Sequence, residues 1–323
     1  MGSKVYQSLE LEGDSPNFVK DMSIAPSKPP TSRTQADPDS DGGERYVQDI
    51  DGFGIAGRIW EAAYILPHYF RSNISDNDDM EFDPPISFHI KDENNVVIEL
   101  GSGTGYAGLE LAATLSPKDV VILTDLAEVC PLLEKNAIEA GLAGRGAEVR
   151  IRPLGWGSSR DGEVVLNEAL KLGGITHVVC SDVVYFPPLI PLLLRTLLQL
   201  TSRRPDEDAT IPSVEVIISY KIRSYTFETP FWRAFGAWFE FRPVFLRCRD
   251  RSEDDDEQSD DKRWSDWTRF GSLESGDTHD YFVFVGRRRA ESHAWPVPGS
   301  DEELMTARGD DTFETLLMLD VSG

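Results

Sequence analysis

One stretch of the chain has residue types and spacing that suit ligand chemistry. Val97-Ile98-Glu99-Leu100-Gly101-Ser102-Gly103-Thr104-Gly105 runs from an apolar segment through three glycines into a helical pattern. Without Cβ atoms the backbone can turn sharply there, and a ligand can lie against it near the partial positive charge of a helix N-terminus. The spacing is G-x-G-x-G; the dinucleotide fingerprint G-x-G-x-x-G would need glycine where Tyr106 stands. Many α/β proteins keep such a turn for packing alone, but two acids sharpen the reading. Asp125 closes the next apolar run, 20 residues after Gly105, where a carboxylate can accept hydrogen bonds from ribose hydroxyls. The plainer alternative is that Asp125 caps a helix beginning near Leu126. Glu99 ends the first run beside the same crevice, where a pyrophosphate would meet it as an uncompensated like charge. A cationic nucleoside suits the two acids better, and S-adenosyl-L-methionine, with its sulfonium and amino groups, is one.

The elements that would position these residues alternate along the chain. Short apolar or β-branched runs at 96–100, 120–124, 149–154, 177–180 and 214–220 are strand-like. Helical patterns occur at 106–115, 127–140, 189–200 and 227–238. This alternation predicts βαβ units, a mostly parallel sheet and helices on both faces. The rhythm breaks after 238, where two strand-like runs at 239–246 and 281–285 have no apolar helix between them. Such a pair can close the sheet as an antiparallel hairpin. Between them lies an acidic insert, about 249–279, whose residues 250–261 hold eight acids and one base, net −7. Residues 1–45, rich in Ser, Pro, Asp and Gly, read as a flexible tail. The folded body is expected over 46–290. Residues 291–323 form a second tail, in which Phe313, Leu316, Leu317 and Leu319 could make a short helix that docks on the body or serves a partner.

Composition narrows the function. The 323 residues are 40% hydrophobic and 10% aromatic, enough for a sizeable core, which excludes a wholly disordered protein. Thirty-two Lys and Arg against 56 Asp and Glu leave a net charge of −24, which disfavours nucleic acid as a partner. No run approaches the roughly 20 apolar residues of a membrane span. Three scattered cysteines and five histidines make no disulfide framework, metal site or catalytic triad. The expectation is a monomeric cytoplasmic protein.

The glycine segment, Glu99 to Gly105, resembles motif I of the seven-strand (class I) methyltransferases, and four further stretches resemble the family-16 protein-lysine methyltransferases. Trp60-Glu61-Ala62-Ala63 is similar to a W-[DE]-A-[AS] helix before the sheet, whose Trp lies near the cofactor. Asp125-Leu126 matches the acidic end of strand 2. Leu154-Gly155-Trp156-Gly157 is similar to L-x-W-G after strand 3, whose Trp flanks the adenine, although Gly155 stands where an acid is common. Ser181-Asp182-Val183-Val184-Tyr185 matches D-x-x-Y after strand 4. The resemblance covers roughly residues 50–288. It implies a Rossmann-like seven-strand sheet with a C-terminal antiparallel hairpin and S-adenosyl-L-methionine as cofactor. It also implies a protein substrate of the elongation factor or chaperone kind. The cofactor residues it implies are Trp60, Glu99, Gly101, Ser102, Gly103, Thr104, Gly105, Asp125, Leu126, Trp156 and Ser181. The catalytic pair it implies is Asp182 and Tyr185.

The chemistry of the residues is compatible with these roles. Asp182 and Tyr185, at i and i+3 after a buried strand, can hold a target between a carboxylate and a phenol. A lysine amine, with a pKa near 10.4, is almost wholly protonated at neutral pH, so its site must assist deprotonation or select the minor form. A structural alternative makes Asp182 a helix cap and Tyr185 a packing residue under Pro187-Pro188, while Trp60 and Trp156 could equally be core. Tyr220 and Arg223, ending the fifth strand, are candidates for the substrate rim. Two other classes fit the same fold: an interaction protein without catalysis, and a small-molecule N- or O-methyltransferase. An elongation factor 1A-type target is favoured because a basic, RNA-associated protein is drawn to an acidic enzyme.

Overall fold

A computed structural model describes residues 17, 24–29, 45–72, 79–88, 94–203, 213–249, 264–271, 281–309 and 311–315. Before the main sheet come α1 (Ile50–Phe53), α2 (Leu66–Phe70) and a short strand, β1 (Met80–Asp83). Five strands then alternate with helices: β2 (Val96–Leu100), α3 (Tyr106–Thr114), β3 (Val120–Asp125), α4 (Cys130–Ala140), β4 (Glu148–Pro153), α5 (Ser159–Lys171), β5 (His177–Ser181), α6 (Ile190–Leu200) and β6 (Glu215–Lys221). After α7 (Tyr225–Trp238) come β7 (Phe239–Pro243), β8 (Phe245–Cys248), β9 (Thr268–Arg269), β10 (Tyr281–Arg288) and α8 (Asp301–Thr306).

The large sheet has seven strands in the order β4-β3-β2-β5-β6-β10-β7. β4, β3, β2, β5 and β6 are parallel, and β10 runs antiparallel to both β6 and β7. Every residue of β2 is buried, as its unbroken Val-Val-Ile-Glu-Leu run requires of a central strand covered on both sides. Alternate side chains divide between two cores. Val96, Ile98 and Leu100 face α5, α6 and α7, while Val97 faces α2, α3 and Leu133 of α4. Helices therefore cover both faces. Because β2 and β5 are adjacent but not sequential, a crevice opens beyond the carboxyl ends of the strands where the order reverses.

Three features were not legible in the sequence. The helix α5 has only a narrow buried stripe, Gly162, Val165 and Ala169. The run 239–246 is two strands rather than one, since Pro243 has no N–H to continue the ladder. Beyond it the chain leaves the large sheet, and β8 joins β1 and β9 in a three-stranded antiparallel sheet. That sheet is anchored by Phe82 and Phe270, whose rings meet edge-on at 5.0 Å, with Tyr69 beside them.

The segment expected to be an N-terminal tail lies largely outside the described residues, but two pieces of it touch the body. The Asn17 carbonyl accepts the Ile55 N–H at 2.9 Å, and the Ser27 hydroxyl meets Tyr64 at 2.8 Å. Residues 250–261 and Leu316, Leu317 and Leu319 also lie outside the described residues. Of the expected C-terminal tail, Leu304 of α8 and Phe313 are buried. Phe313 stacks on Trp232 at 5.1 Å and 17°, within a ring cluster that includes Tyr220, Phe282 and Phe284. Among the described residues no helix is long and apolar enough to cross a membrane. A buried aromatic ring truncated to methyl costs about 3–5 kcal/mol. Phe313→Ala is therefore expected to lower stability by about that much in denaturant unfolding, whereas a peripheral peptide would leave the midpoint unchanged.

Candidate active site

The glycine turn leaves β2 in a conformation that L side chains resist. Gly101 has φ 65° and Gly103 φ 54°. Space forbids side chains there as well: a Cβ on Gly101 would lie 2.8 Å from the Trp156 indole, and one on Gly103 2.9 Å from the Ala56 carbonyl oxygen. The turn is stitched to the tip of β3. The Gly103 N–H donates to Asp125 Oδ2 at 2.7 Å, and the Leu126 N–H donates to Asp125 Oδ1 at 2.8 Å. Ser102 N–H donates to the Thr124 carbonyl at 2.9 Å, and the Thr124 hydroxyl to the Glu99 carbonyl at 2.6 Å. Asp125 does not cap α4, which starts at Cys130 with Val129 at its N-cap.

Both acids are buried. Burial, with the nearby Asp125 charge adding to it, pushes the Glu99 carboxyl up to about 8, and Glu99 Oε2 has no hydrogen-bond partner. Burial pushes Asp125 up to about 6 despite its two N–H donors. Two desolvated carboxyls and an unpartnered oxygen at one cleft form a donor set that a cation would stabilise in its ionised state.

The second half of the site comes from the tips of β5 and β6. Asp182 holds φ 58°, the one positive φ outside glycine among the described residues. Its N–H donates to the Ser219 carbonyl at 2.8 Å, which fixes the β5 tip against β6. Its carboxylate accepts a two-pronged pair from Arg223, with Nη1 2.6 Å from Oδ1 and Nη2 on Oδ2, and the Lys221 N–H reaches Oδ1 at 3.3 Å. The φ and the buried ion pair show that Asp182 is not a helix cap. Trp60 closes the site from the other side. Its indole N–H donates to the Ile55 carbonyl at 2.9 Å, and the guanidinium groups of Arg58 and Arg223 lie 4.8 and 5.2 Å from its ring.

Twelve of the thirteen residues expected from sequence line one open cleft with a free volume of about 220 Å³. They are Trp60, Glu99, Gly101, Ser102, Gly103, Thr104, Asp125, Leu126, Trp156, Ser181, Asp182 and Tyr185. The thirteenth, Gly105, does not reach it. It is the left-handed N-cap of α3, and a Cβ there would meet Leu109, Leu123 and Leu133. Tyr220 also moves away from the expected rim. Its side chain is fully buried, donates to Glu228 and packs on Trp232, because strand alternation turns it toward α7. The segment Ile55–Ile59 lines the cleft unforeseen, with Arg58 its charged member. Its signal in the sequence was the pair Gly54 and Gly57, which forms a 3₁₀ turn over the glycine loop.

An open α/β sheet with a glycine turn, two buried acids and an aromatic wall at its switch point is a Rossmann-like methyltransferase fold with a candidate ligand cleft. More specifically, the chain belongs to the lysine methyltransferase family, whose profile matches residues 44–235. It is 32% identical to EEF1A lysine methyltransferase 3 of Mus musculus over 46% of this chain and 51% of that one. It is also 32% identical to Protein-lysine N-methyltransferase EFM6 of Saccharomyces cerevisiae over 49% of this chain and 63% of that one. Protein N-lysine methyltransferase METTL21A of Danio rerio is 30% identical over 49% of this chain and 61% of its own length. The chain thus spans between half and two thirds of the length of these curated relatives.

The two raised carboxyls set a pH dependence for binding a cation. Below about 6 both are protonated; Asp125 ionises as pH rises through about 6 and Glu99 through about 8. Affinity for S-adenosyl-L-methionine measured by calorimetry is expected to tighten by about tenfold or more from pH 5 to pH 8. A flat profile would show that neither acid meets the ligand's charge.

Proposed function

We propose that this chain is an S-adenosyl-L-methionine-dependent protein-lysine N-methyltransferase acting on a cytosolic protein. The observation that supports it most is the placement of Asp182 and Tyr185 on the wall of the same cleft that the glycine turn and Asp125 line. Family membership and the relatives' names support the acceptor chemistry.

In this reading Asp125 accepts the ribose hydroxyls, while Glu99 balances the ligand's positive charge. Gly101 and Gly103 let the ligand lie against the backbone, and Trp156 over Gly101 offers a face for the adenine. Ser102, Thr104 and Leu126 shape the same wall, with Ser181 and Trp60 across from them. When bound, S-adenosyl-L-methionine supplies an electrophilic methyl group on a sulfonium. The residues on the other wall act on the acceptor. Asp182 would orient the lysine nitrogen, and the Tyr185 phenol would fix the direction of its lone pair. The nitrogen gives up a proton to solvent before it attacks; as its bond to the methyl carbon formed, the methyl–sulfur bond would break and the sulfur would leave as a neutral thioether. For the substrate we infer translation elongation factor 1A. The similarity to mouse EEF1A lysine methyltransferase 3 supports this, as does the net charge of −24, which suits a basic target.

The test incubates the purified chain with labelled S-adenosyl-L-methionine and a cell extract, and locates the modified residue by mass spectrometry. The expected result is one labelled band carrying methyl-lysine, at the size of elongation factor 1A. Asp182→Asn is expected to reduce labelling about 100-fold or more while the folded chain still binds the cofactor. A wild-type chain that labels nothing would overturn the activity, and a labelled protein of another identity would overturn the substrate alone.

A further inference from the structure

The carboxylate proposed to meet the acceptor lysine already has a cation of its own. The Asp182 side chain is fully buried and paired in two-pronged fashion to Arg223, itself only 13% exposed. The guanidinium is held from several sides. It lies over Trp60, and it stands 3.7 Å from the Glu61 carboxylate, as does the Lys221 ammonium. Arg58 pairs with Glu61 from the same turn. Burial alone would raise the Glu61 carboxyl, but Arg58, Lys221 and Arg223 together hold it below its ordinary value. From α7, Glu228 accepts the Arg223 backbone N–H at 3.1 Å and the Tyr220 hydroxyl, and burial pushes its carboxyl up. Tyr185 lines the same wall as Asp182. Among the described residues, the charged and titratable groups gathered around the Asp182–Arg223 pair are therefore Arg58 and Lys221 against Glu61 and Glu228, with Tyr185 lining the same cleft.

This arrangement bears on the protonation of an incoming amine. A lone buried carboxylate stabilises an ammonium and raises its pKa, which holds lysine in the form without a lone pair. A guanidinium fixed on that carboxylate cancels the attraction, and as a like charge it disfavours the protonated amine. Asp182 can still orient the nitrogen without trapping it as a cation.

We propose that Arg223 is a positioning residue whose fixed charge on Asp182 keeps the acceptor amine neutral and so sets the lower pH limit of transfer. This rests on the lysine-transfer reading above. Removing the charge exposes the carboxylate to the ammonium, so the acid limb of the pH profile moves to higher pH. Removing a neighbouring acid has the opposite sign.

The experiment measures initial rates of labelling of the wild-type band in cell extract from pH 6 to pH 10, at saturating labelled S-adenosyl-L-methionine. Arg223→Gln is expected to move the acid limb up by about one pH unit. Arg223→Lys keeps the charge and is expected to leave the limb near its wild-type position, with a lower plateau because the fork is lost. Glu61→Gln, at a partly exposed position, is expected to move the limb down. Should Arg223→Gln fail to fold, the direction of the Glu61→Gln shift decides alone. A labelled wild-type band whose profile keeps its limb in these variants, with only the plateau changed, would overturn the inference and leave the transfer reading standing. No labelled band with the wild-type chain would overturn the transfer reading, and this inference with it.

Discussion

The hydrogen bond from the Gly103 N–H to the Asp125 carboxylate is the constraint on which the cleft depends. It crosses from the end of β2 to the end of β3, and the Ser102 and Thr124 contacts beside it close the same seam. With the turn fixed in this way, Gly101 comes under Trp156 and Gly103 under Ala56, so residues far apart in sequence share one cavity wall. The arrangement is costly in itself. Asp125 and Glu99 are carboxyls taken out of water, and their raised pKa values mean that their charged forms destabilise the folded chain near neutral pH. Stability from these groups is fully present below their unfolded values, about 4, and is lost as pH rises through about 6 and about 8. A positive charge placed at this cleft would favour the ionised form of both carboxyls.

Strength and chemistry occupy different parts of the molecule. The ring cluster of Trp232, Phe235, Phe241, Phe284 and Phe313 fills one side of the sheet around α7. At the ends of the strands opposite the cleft, Ser87 bridges His177 and Glu215, and Glu215 also pairs with Arg287. That network is a serine, histidine and acid in contact, but the serine lies between the other two, so it ties β5, β6 and β10 together rather than forming a nucleophile relay. The cleft end carries the opposite design: positive φ values, a buried ion pair and an unpartnered carboxyl oxygen.

How much of this could be read from the sequence follows from which forces act locally. The strands β2, β3, β5 and β6 are short apolar runs between turn residues, and periodicity alone located them. That the glycine turn, Asp125, Trp156, Asp182 and Tyr185 line one cleft was legible because each lies at or just after the carboxyl end of a strand. Gly105 was expected with the other two glycines but lies off the cleft lining, since a third glycine in a turn can also face the helix side. Tyr220 misled because a strand end gives no hint of which side of the sheet its last residues face. The β1-β8-β9 sheet was hidden because it is built from pairings distant in sequence, such as Met80 with Cys248. Arg223 was seen only as a rim residue; its hold on Asp182 is a contact between two strand tips that no local pattern encodes.

The order of the strands also has a consequence for biogenesis. β10, at Tyr281–Arg288, is inserted between β6 and β7, so two strands made earlier meet only through one made later. While the ribosome is still synthesising the segment after β7, both neighbours present open backbone edges with no partner. A nascent chain in that state cannot complete its sheet in order of synthesis. It must wait for β10 to emerge, and until then the open edges of β6 and β7 are sites where chains can self-associate.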